Sequence, residues 1–370
     1  MNILFIDQFH TIGGGQRSLV ELLPLVRRRG WTARVALPGP GALRTKIESE
    51  GFAVDSIPCS EYSAGRKGLS DLGRYLGEAG TMAAALSRLV AAHRIDLLYV
   101  NGPRPLPAAA WVGRAKSIPL VFHCHHRICQ PLAARLTGEA LRWSRARVIA
   151  CCRFAGEPLG GYVPAERFGI IYNGVPRPAW RRRARDPVQA WNIGVIGRVE
   201  PEKGQMEFVA AARILSEECG NCRFTVAGAP LFSGPEYFER VKEASRDLPI
   251  EFSGWQDDIG ATFSRLDLLV VPSSDIDSTP RVVIEAFSGG VPVVAFPAGG
   301  IPEILRDGDT GFLAANASPA ALAERIRSVL RMGLRPVREV AGRAWEAWRE
   351  RYTLDRYQEE VGEAIARASS

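Results

Sequence analysis

No apolar run in the 370 residues approaches the roughly 20 needed to cross a bilayer, so no spanning helix is expected. The N-terminus, MNILFIDQF, enters a strand directly and lacks a basic region or a small-residue cleavage site, so it is not read as a signal peptide. Glycine and proline, at 37 and 25, are plentiful but not periodic, which argues against a fibre or a disordered chain. The G-x-G-x-x-G fingerprint is missing, and no acidic residue ends the second strand, Ala33–Pro38, which lowers the odds of an NAD-binding domain. There is no HExxH and no paired CxxC. Seven cysteines, an odd and scattered set, fit reduced thiols in a cytosol better than a disulfide frame.

The hydrophobic content, 46%, and the length suit two domains of ordinary size. Charge is uneven along the chain. Residues 1–190 hold 27 Lys/Arg against 13 Asp/Glu, whereas 191–370 hold 20 against 27. A first half at +14 seeks an anionic partner such as a phospholipid surface, a lipid diphosphate or a nucleic acid, or else serves ordinary solubility. Its basic residues include Arg66, Lys67, Arg135, Arg142 and Arg145, with Leu132, Leu136, Leu141 and Trp143 among the last three. A helix over Pro131–Arg145 would present arginines and a tryptophan to a lipid surface, unless Leu136, Leu141 and Trp143 are core residues.

Strand-like runs recur at Ile3–Ile6, Ala53–Ile57, Asp96–Val100, Leu120–His125, Arg147–Cys151 and Phe168–Ile171. Helical stretches lie between them, at about Gln16–Arg29, Thr81–His93 and Pro131–Arg145. A second series opens at Ile193–Gly197 and continues near Phe224–Ala227, Ile250–Ser253, Leu268–Val271 and Val291–Phe296. Such alternation predicts parallel, doubly wound sheets. The best boundary is the arginine-rich stretch Pro176–Pro187, giving domains at 1–176 and 191–351, a hinge at 177–190 and a final helical segment from Tyr352.

Residues 272–304, PSSDIDSTPRVVIEAFSGGVPVVAFPAGGIPEI, organise the rest. A buried strand, Leu268–Val271, stops at Pro272, and an acidic loop leads into a helix with Pro280 in its first turn and Thr279 or Ser278 as N-cap. Glu285 follows Asp277 by eight residues. A helix N-terminus attracts phosphate, and carboxylates suit sugar hydroxyls, so this is a site for a phosphorylated sugar. Upstream, Gly197-Arg198-Val199-Glu200-Pro201-Glu202-Lys203-Gly204 also joins a buried strand to a helix. Arg198 and Lys203 thus stand at a strand's C-terminal edge, where two fixed cations would bind a diphosphate and stabilise the charge growing on it. A surface salt bridge is the plain alternative.

Glu285, Ala286, Gly290 through Val294 and Gly299 through Ile304, with Gly-Arg and Lys-Gly at 197–204, resemble the signature of retaining nucleotide-sugar glycosyltransferases of family 4. The departure is at the first acid, where glutamate followed by Gly-Phe-Gly is replaced by Asp277, Ser278, Thr279 and Pro280. The resemblance implies the GT-B fold: two Rossmann-like, doubly wound parallel-sheet domains facing across a cleft, with the last helix crossing back to the first. It implies retaining transfer of a sugar from a nucleoside diphosphate to a hydroxyl, without metal or cofactor, with the leaving phosphate as base. Arg198 and Lys203 would hold the diphosphate and Glu285 the ribose, while Asp277 and His125 orient the sugar. Ser278, Thr279, Arg281 and Val282 fall in the same donor-binding segment. Gly14 and Gly15 would face the cleft near the diphosphate and the acceptor. The implied partners are a nucleotide sugar and a glycan or lipid-linked acceptor, not a nucleic acid. The implied place is the cytoplasm, with the basic half able to meet the inner membrane face. A nucleotide-sugar epimerase, a phosphorylase and a degenerate binding protein are the alternatives.

The run His123-Cys124-His125-His126-Arg127-Ile128-Cys129 invites a metal reading, because His123 and His125 share a strand face. Alignment from Ile118 and Pro119 puts His125 where the family has a histidine at the donor sugar; a structural histidine is the other reading. Cys219 and Cys222 read as ordinary thiols, and Cys151 and Cys152 as packing residues. Asn173 lies in the cleft by resemblance, or makes a simple Asn-Gly turn.

Overall fold

A computed structural model describes residues 1–60, 69–180, 189–218, 221–231, 234–256 and 258–369, the side chains of 69–76 excepted. Two compact units emerge: Met1–Asn173 with Asp355–Ser370, and Gly174–Leu354. In the first, β1 (Asn2–Asp7), β2 (Thr32–Leu37), β3 (Ala53–Ser56), β4 (Leu97–Asn101), β5 (Leu120–Cys124), β6 (Arg147–Ala150) and β7 (Phe168–Ile170) form one sheet in the order β3-β2-β1-β4-β5-β6-β7. In the second, β8 (Trp191–Ile196), β9 (Cys222–Ala227), β10 (Ile250–Gly254), β11 (Leu268–Val271), β12 (Val293–Ala295) and β13 (Phe312–Leu313) order as β10-β9-β8-β11-β12-β13. Every pairing is parallel.

Strands covered by helices on both faces must be apolar throughout. Leu97–Val100, Leu120–Phe122 and Leu268–Val271 are fully buried accordingly. In each sheet the strand order reverses once, between β1 and β4 and between β8 and β11. Side chains that leave the C-terminal ends of those strands are the ones an open sheet offers to a ligand.

Several boundaries differ from expectation for identifiable reasons. The strand expected over Val291–Phe296 narrows to β12, because Pro292 has no N–H and contributes only its carbonyl, to Leu269 N at 2.9 Å. The helix expected from Thr81 begins at Leu69. The helix after Asp277 spans Arg281–Ser288 with Pro280, not Thr279 or Ser278, as its N-cap; both hydroxyl residues are buried. The last helix starts at Leu354, two residues beyond Tyr352, which ends the preceding helix, Leu334–Arg351. It packs in the first unit, where Gln358 Oε1 accepts from Arg28 Nη2 at 2.5 Å. Of the expected hinge, 181–188 lie outside the described residues, while Trp180 stacks on Phe263 in the second unit at 5.2 Å.

Candidate functional site

In the second unit, two loops meet at the reversal between β8 and β11. Gly197 continues β8 into Arg198, and the turn Pro201–Lys203 ends at Gly204, whose φ is +72°. A Cβ on Gly204 would stand 1.9 Å from the Pro272 carbonyl oxygen, so only glycine lets this loop rest on the end of β11. Glu202 O accepts from Ser274 N at 2.9 Å across the same junction. Buried Gln205 pins the loop from behind, donating to Arg198 O at 2.7 Å and accepting from Glu200 N at 3.3 Å.

The cations are held by carboxylates. Arg198 Nη1 lies 2.5 Å from Glu200 and Nη2 lies 2.8 Å from Glu202. Lys203 Nζ lies 2.6 Å from Asp277 Oδ2, joining residues 74 apart in sequence. The two motifs are therefore one site. Asp277 is fixed in turn by Gly299 and Gly300. Its carbonyl accepts from Gly300 N at 3.1 Å, and a Cβ on Gly299, at φ +56°, would come within 1.9 Å of that oxygen. Ser278 and Thr279, the next two residues of this loop, are buried. Arg281 Nε reaches Glu285 Oε1 at 3.2 Å along the helix, so Glu285 carries a partner that sequence reading did not assign. Val282 is half-buried on the first turn. Glu200, Glu202 and Gln205 went unassigned in the sequence as well.

In the first unit the reversal lies between β1 and β4, which end at Asp7 and Asn101. Buried Asp7 accepts from Gln16 Nε2 at 3.0 Å and from Asn101 Nδ2 at 2.5 Å. Asn101 Oδ1 lies 2.7 Å from His125 Nε2. Beside it, His123 Nδ1 lies 2.6 Å from the Tyr99 hydroxyl, and the two imidazoles lie with centroids 3.9 Å apart and planes tilted by 34°. Burial pushes the Asp7 carboxyl up to about 6 and His123 down to about 3. Burial, then His123 and His126, hold His125 well below the ordinary histidine range. Among the described residues no three of His, Cys, Asp and Glu are grouped to hold a metal ion. A polar residue ending an apolar strand beside a glycine turn was the signal for Asp7, and it was missed.

The helix Gly14–Arg28 opens at the glycine turn. Nothing stands within 4 Å of a Cβ built on Gly14, whereas one on Gly15 would lie 3.1 Å from the His125 ring. Asn173 is buried, with Oδ1 3.1 Å from the Ser18 hydroxyl of that helix. Cys151 and Cys152 are buried; Cys219 lies outside the described residues.

The helix Pro131–Ser144 carries Leu132, Leu136 and Trp143 at 62%, 45% and 52% exposure, one stripe at i, i+4 and i+11. Leu141 is core instead, fully buried. Arg135, Arg142 and Arg145 are exposed beside the stripe, and Arg142 pairs with Glu139 at 2.5 Å. Trp111, 54% exposed, lies on the neighbouring helix Leu106–Ala115. Arg66 and Lys67 lie outside the described residues.

Comparison with known proteins follows this division. Residues 12–177 match the profile of Glycosyltransferase Family 4, and residues 190–332 match that of Glycosyl transferases group 1. The D-inositol 3-phosphate glycosyltransferase of Mycobacterium tuberculosis (strain H37Rv) is 34% identical over 200 residues, 50% of this chain and 40% of that protein. The chain thus matches about two fifths of the length of such curated relatives. Anabaena HepE, solved with UDP and glucose, superposes with a TM-score of 0.82 at 24% identity, over 98% of this chain and 99% of that one. A glycosyltransferase from Rickettsia africae ESF-5 superposes at 0.79 with 18% identity, over 99% and 98%. The parallel sheets, the two-motif site and these matches agree: the chain belongs to glycosyltransferase family 4 and has the GT-B fold.

Proposed function

We infer that the chain transfers a sugar from a nucleoside-diphosphate sugar to an acceptor hydroxyl, with retention and without a metal. The observation that carries this reading is the Lys203–Asp277 pair at 2.6 Å, which unites a cationic loop and an acidic loop where the second sheet's strand order reverses. Arg198 and Lys203 are assigned to the diphosphate, Glu285 to the ribose, and Asp277 and His125 to the sugar. A guanidinium carries five N–H groups and an ammonium three, so a carboxylate contact does not use up either cation. As the bond from the anomeric carbon to the β-phosphate oxygen breaks, both cations meet the negative charge left on that oxygen. The anomeric carbon bonds to the acceptor oxygen, and the hydroxyl proton passes to the leaving phosphate. HepE is known with UDP and with UDP-glucose, which supports a uridine donor of this size.

The acceptor is read as a glycan or lipid-linked hydroxyl at an anionic membrane surface. The exposed Leu132, Leu136 and Trp143 stripe beside arginines supports it, since each cation near such a surface contributes about 1 kcal/mol. Incubation with a nucleotide-sugar panel and a cell lipid extract, followed by mass spectrometry, should yield a glycosylated product and free nucleoside diphosphate. Donor cleavage without product, or a donor merely epimerised, would overturn the transfer reading. Sedimentation should show binding to anionic vesicles that falls steeply with salt, and little binding to neutral ones. Equal pelleting with both would return the arginines to ordinary solubility.

A further inference from the structure

Asp7, Asn101 and His125 form a chain whose donors and acceptors can be assigned in only one sense while Asp7 is ionised. A carboxylate can only accept, so the Asn101 group 2.5 Å from Asp7 Oδ2 is its amide NH2. The other end of that amide, Oδ1, has no proton to give. Its contact with His125 Nε2 at 2.7 Å is a hydrogen bond only if the imidazole donates. A neutral imidazole carries one N–H, which leaves His125 Nδ1 a bare lone pair. That nitrogen is buried and has no hydrogen-bond partner among the described residues.

The neighbours hold this state. Groups facing the ring are His123 and His126 from its own segment and, through His123, Tyr99 of β4 and Tyr357 of the helix Leu354–Ser369. None of these supplies a negative charge to favour an imidazolium. Asp7 does carry one, but Asn101 stands between it and the ring. Phe9 N donates to its Oδ1 at 2.8 Å and Gln16 Nε2 bridges Oδ1 and Oδ2 at 3.0 and 3.1 Å, which fixes the carboxylate with Oδ2 toward Asn101. Gly15 leaves the ring room, since any larger residue would press on it from 3.1 Å.

We propose that Asp7 and Asn101 set the polarity of His125, so that it meets the donor sugar as a hydrogen-bond acceptor and selects a hydroxyl that donates. Asp7 and Asn101 are positioning residues, and the proposal rests on the assignment of His125 to the sugar. It adds a requirement that assignment lacks. The hydroxyl at this point cannot be exchanged for a group that only accepts, such as fluorine or a carbonyl, because two lone pairs would then face each other in a buried place.

Two measurements test it separately. The first is a long-range 1H–15N spectrum of the full chain with 15N-labelled histidine, recorded without ligand at pH 7. His125 should show a protonated Nε2 and a bare Nδ1; a protonated Nδ1 would overturn the proposal whatever the substrate. The second is kcat/KM for deoxy and deoxyfluoro donors at each ring position away from the reacting carbon. At one position both should fall about ten- to hundredfold, the deoxyfluoro donor no better than the deoxy one. In Asn101→Leu the parent donor should lose most of its advantage at that position, with the deoxyfluoro donor overtaking the deoxy one. A deoxyfluoro donor that matches the parent in the wild type would overturn the acceptor role. The expected spectrum with no such position would remove His125 from the sugar and leave its tautomer standing. If Asn101→Leu does not fold, the wild-type spectrum and analogue series still decide.

Discussion

At the reversal of the second sheet, Arg198, Lys203 and Arg281 lie against Glu200, Glu202, Asp277 and Glu285, three cations among four carboxylates. At the reversal of the first, one buried carboxylate is joined through the neutral Asn101 amide to a neutral imidazole. Both places are ones where parallel strands diverge and leave a crevice at their C-terminal ends. The second uses charge held in pairs and already largely withdrawn from water, so its cations can turn to a charged ligand without desolvation being met afresh. The first uses burial, which drives charge off His123 and His125 and leaves only hydrogen-bond direction to discriminate. A diphosphate suits the former and an uncharged sugar the latter.

The largest effect should come from breaking the charged side of that contrast. Arg198→Ala and Lys203→Ala should each lower kcat by roughly 10²–10³-fold, the scale for removing one donor to a developing charge. The double variant should lose less than the product of the two, as the proposed assignment of both cations to one phosphate group requires. Steady-state kinetics with the identified donor decide it: activity within about tenfold of wild type in either single variant would sink the assignment.

Which of these residues could be read from sequence follows from how each site is assembled. Arg198, Lys203, Asp277 and Glu285 stand in two contiguous motifs with fixed spacing, so they were legible before any contact was known. The Lys203–Asp277 pair was not, because nothing local ties residues 74 apart; the adjacency of β8 and β11 does. Asp7 and Asn101 lie 94 residues apart, and each alone looks like a polar end to an apolar strand. The N-cap failed for a local reason. Hydroxyl residues favour that position, but Pro280 pushes Thr279 toward extended backbone, so the helix starts one residue later than the hydroxyls suggest.

A middling effect should appear in stability rather than rate, on the buried side of the contrast. His123 titrates at about 3 in the fold against an ordinary 6.5. The unfolded chain therefore takes up a proton below pH 6.5 that the fold refuses. Stability from this group is present above 6.5 and lost as pH falls toward 3, by about 1.4 kcal/mol per pH unit. Asp7 acts in the opposite sense: at about 6 against 3.8, its protonated form favours the fold below 3.8, and that contribution is lost as pH rises through 6. Hydrogen exchange of β1 and β4 amides between pH 4 and 6.5 separates the two. Between pH 3.8 and 6 the two slopes oppose each other, so His123→Gln should leave this site more stabilising as pH falls, and Asp7→Asn should leave it less so. Equal slopes in both variants would show that burial at this site costs the ionised forms nothing.

The smallest expected effect is none, and it sharpens the charged side. Excess EDTA should leave turnover unchanged within about twofold, and added magnesium or manganese should not raise it. The reason lies in how the carboxylates near Arg198 are spent. Glu200, Glu202 and Asp277 each lie within 2.8 Å of a cationic nitrogen, and Glu285 within 3.2 Å. A divalent ion bridging the diphosphate would need two or three of those oxygens turned toward it, which strips Arg198 and Lys203 of partners while they are in reach of the same phosphate. On the proposed assignment, Arg198 and Lys203 carry the growing charge without that exchange. Loss of turnover on chelation, restored by manganese, would show instead that the carboxylates change partners when donor binds, with Asp277 the first to test by Asp277→Asn.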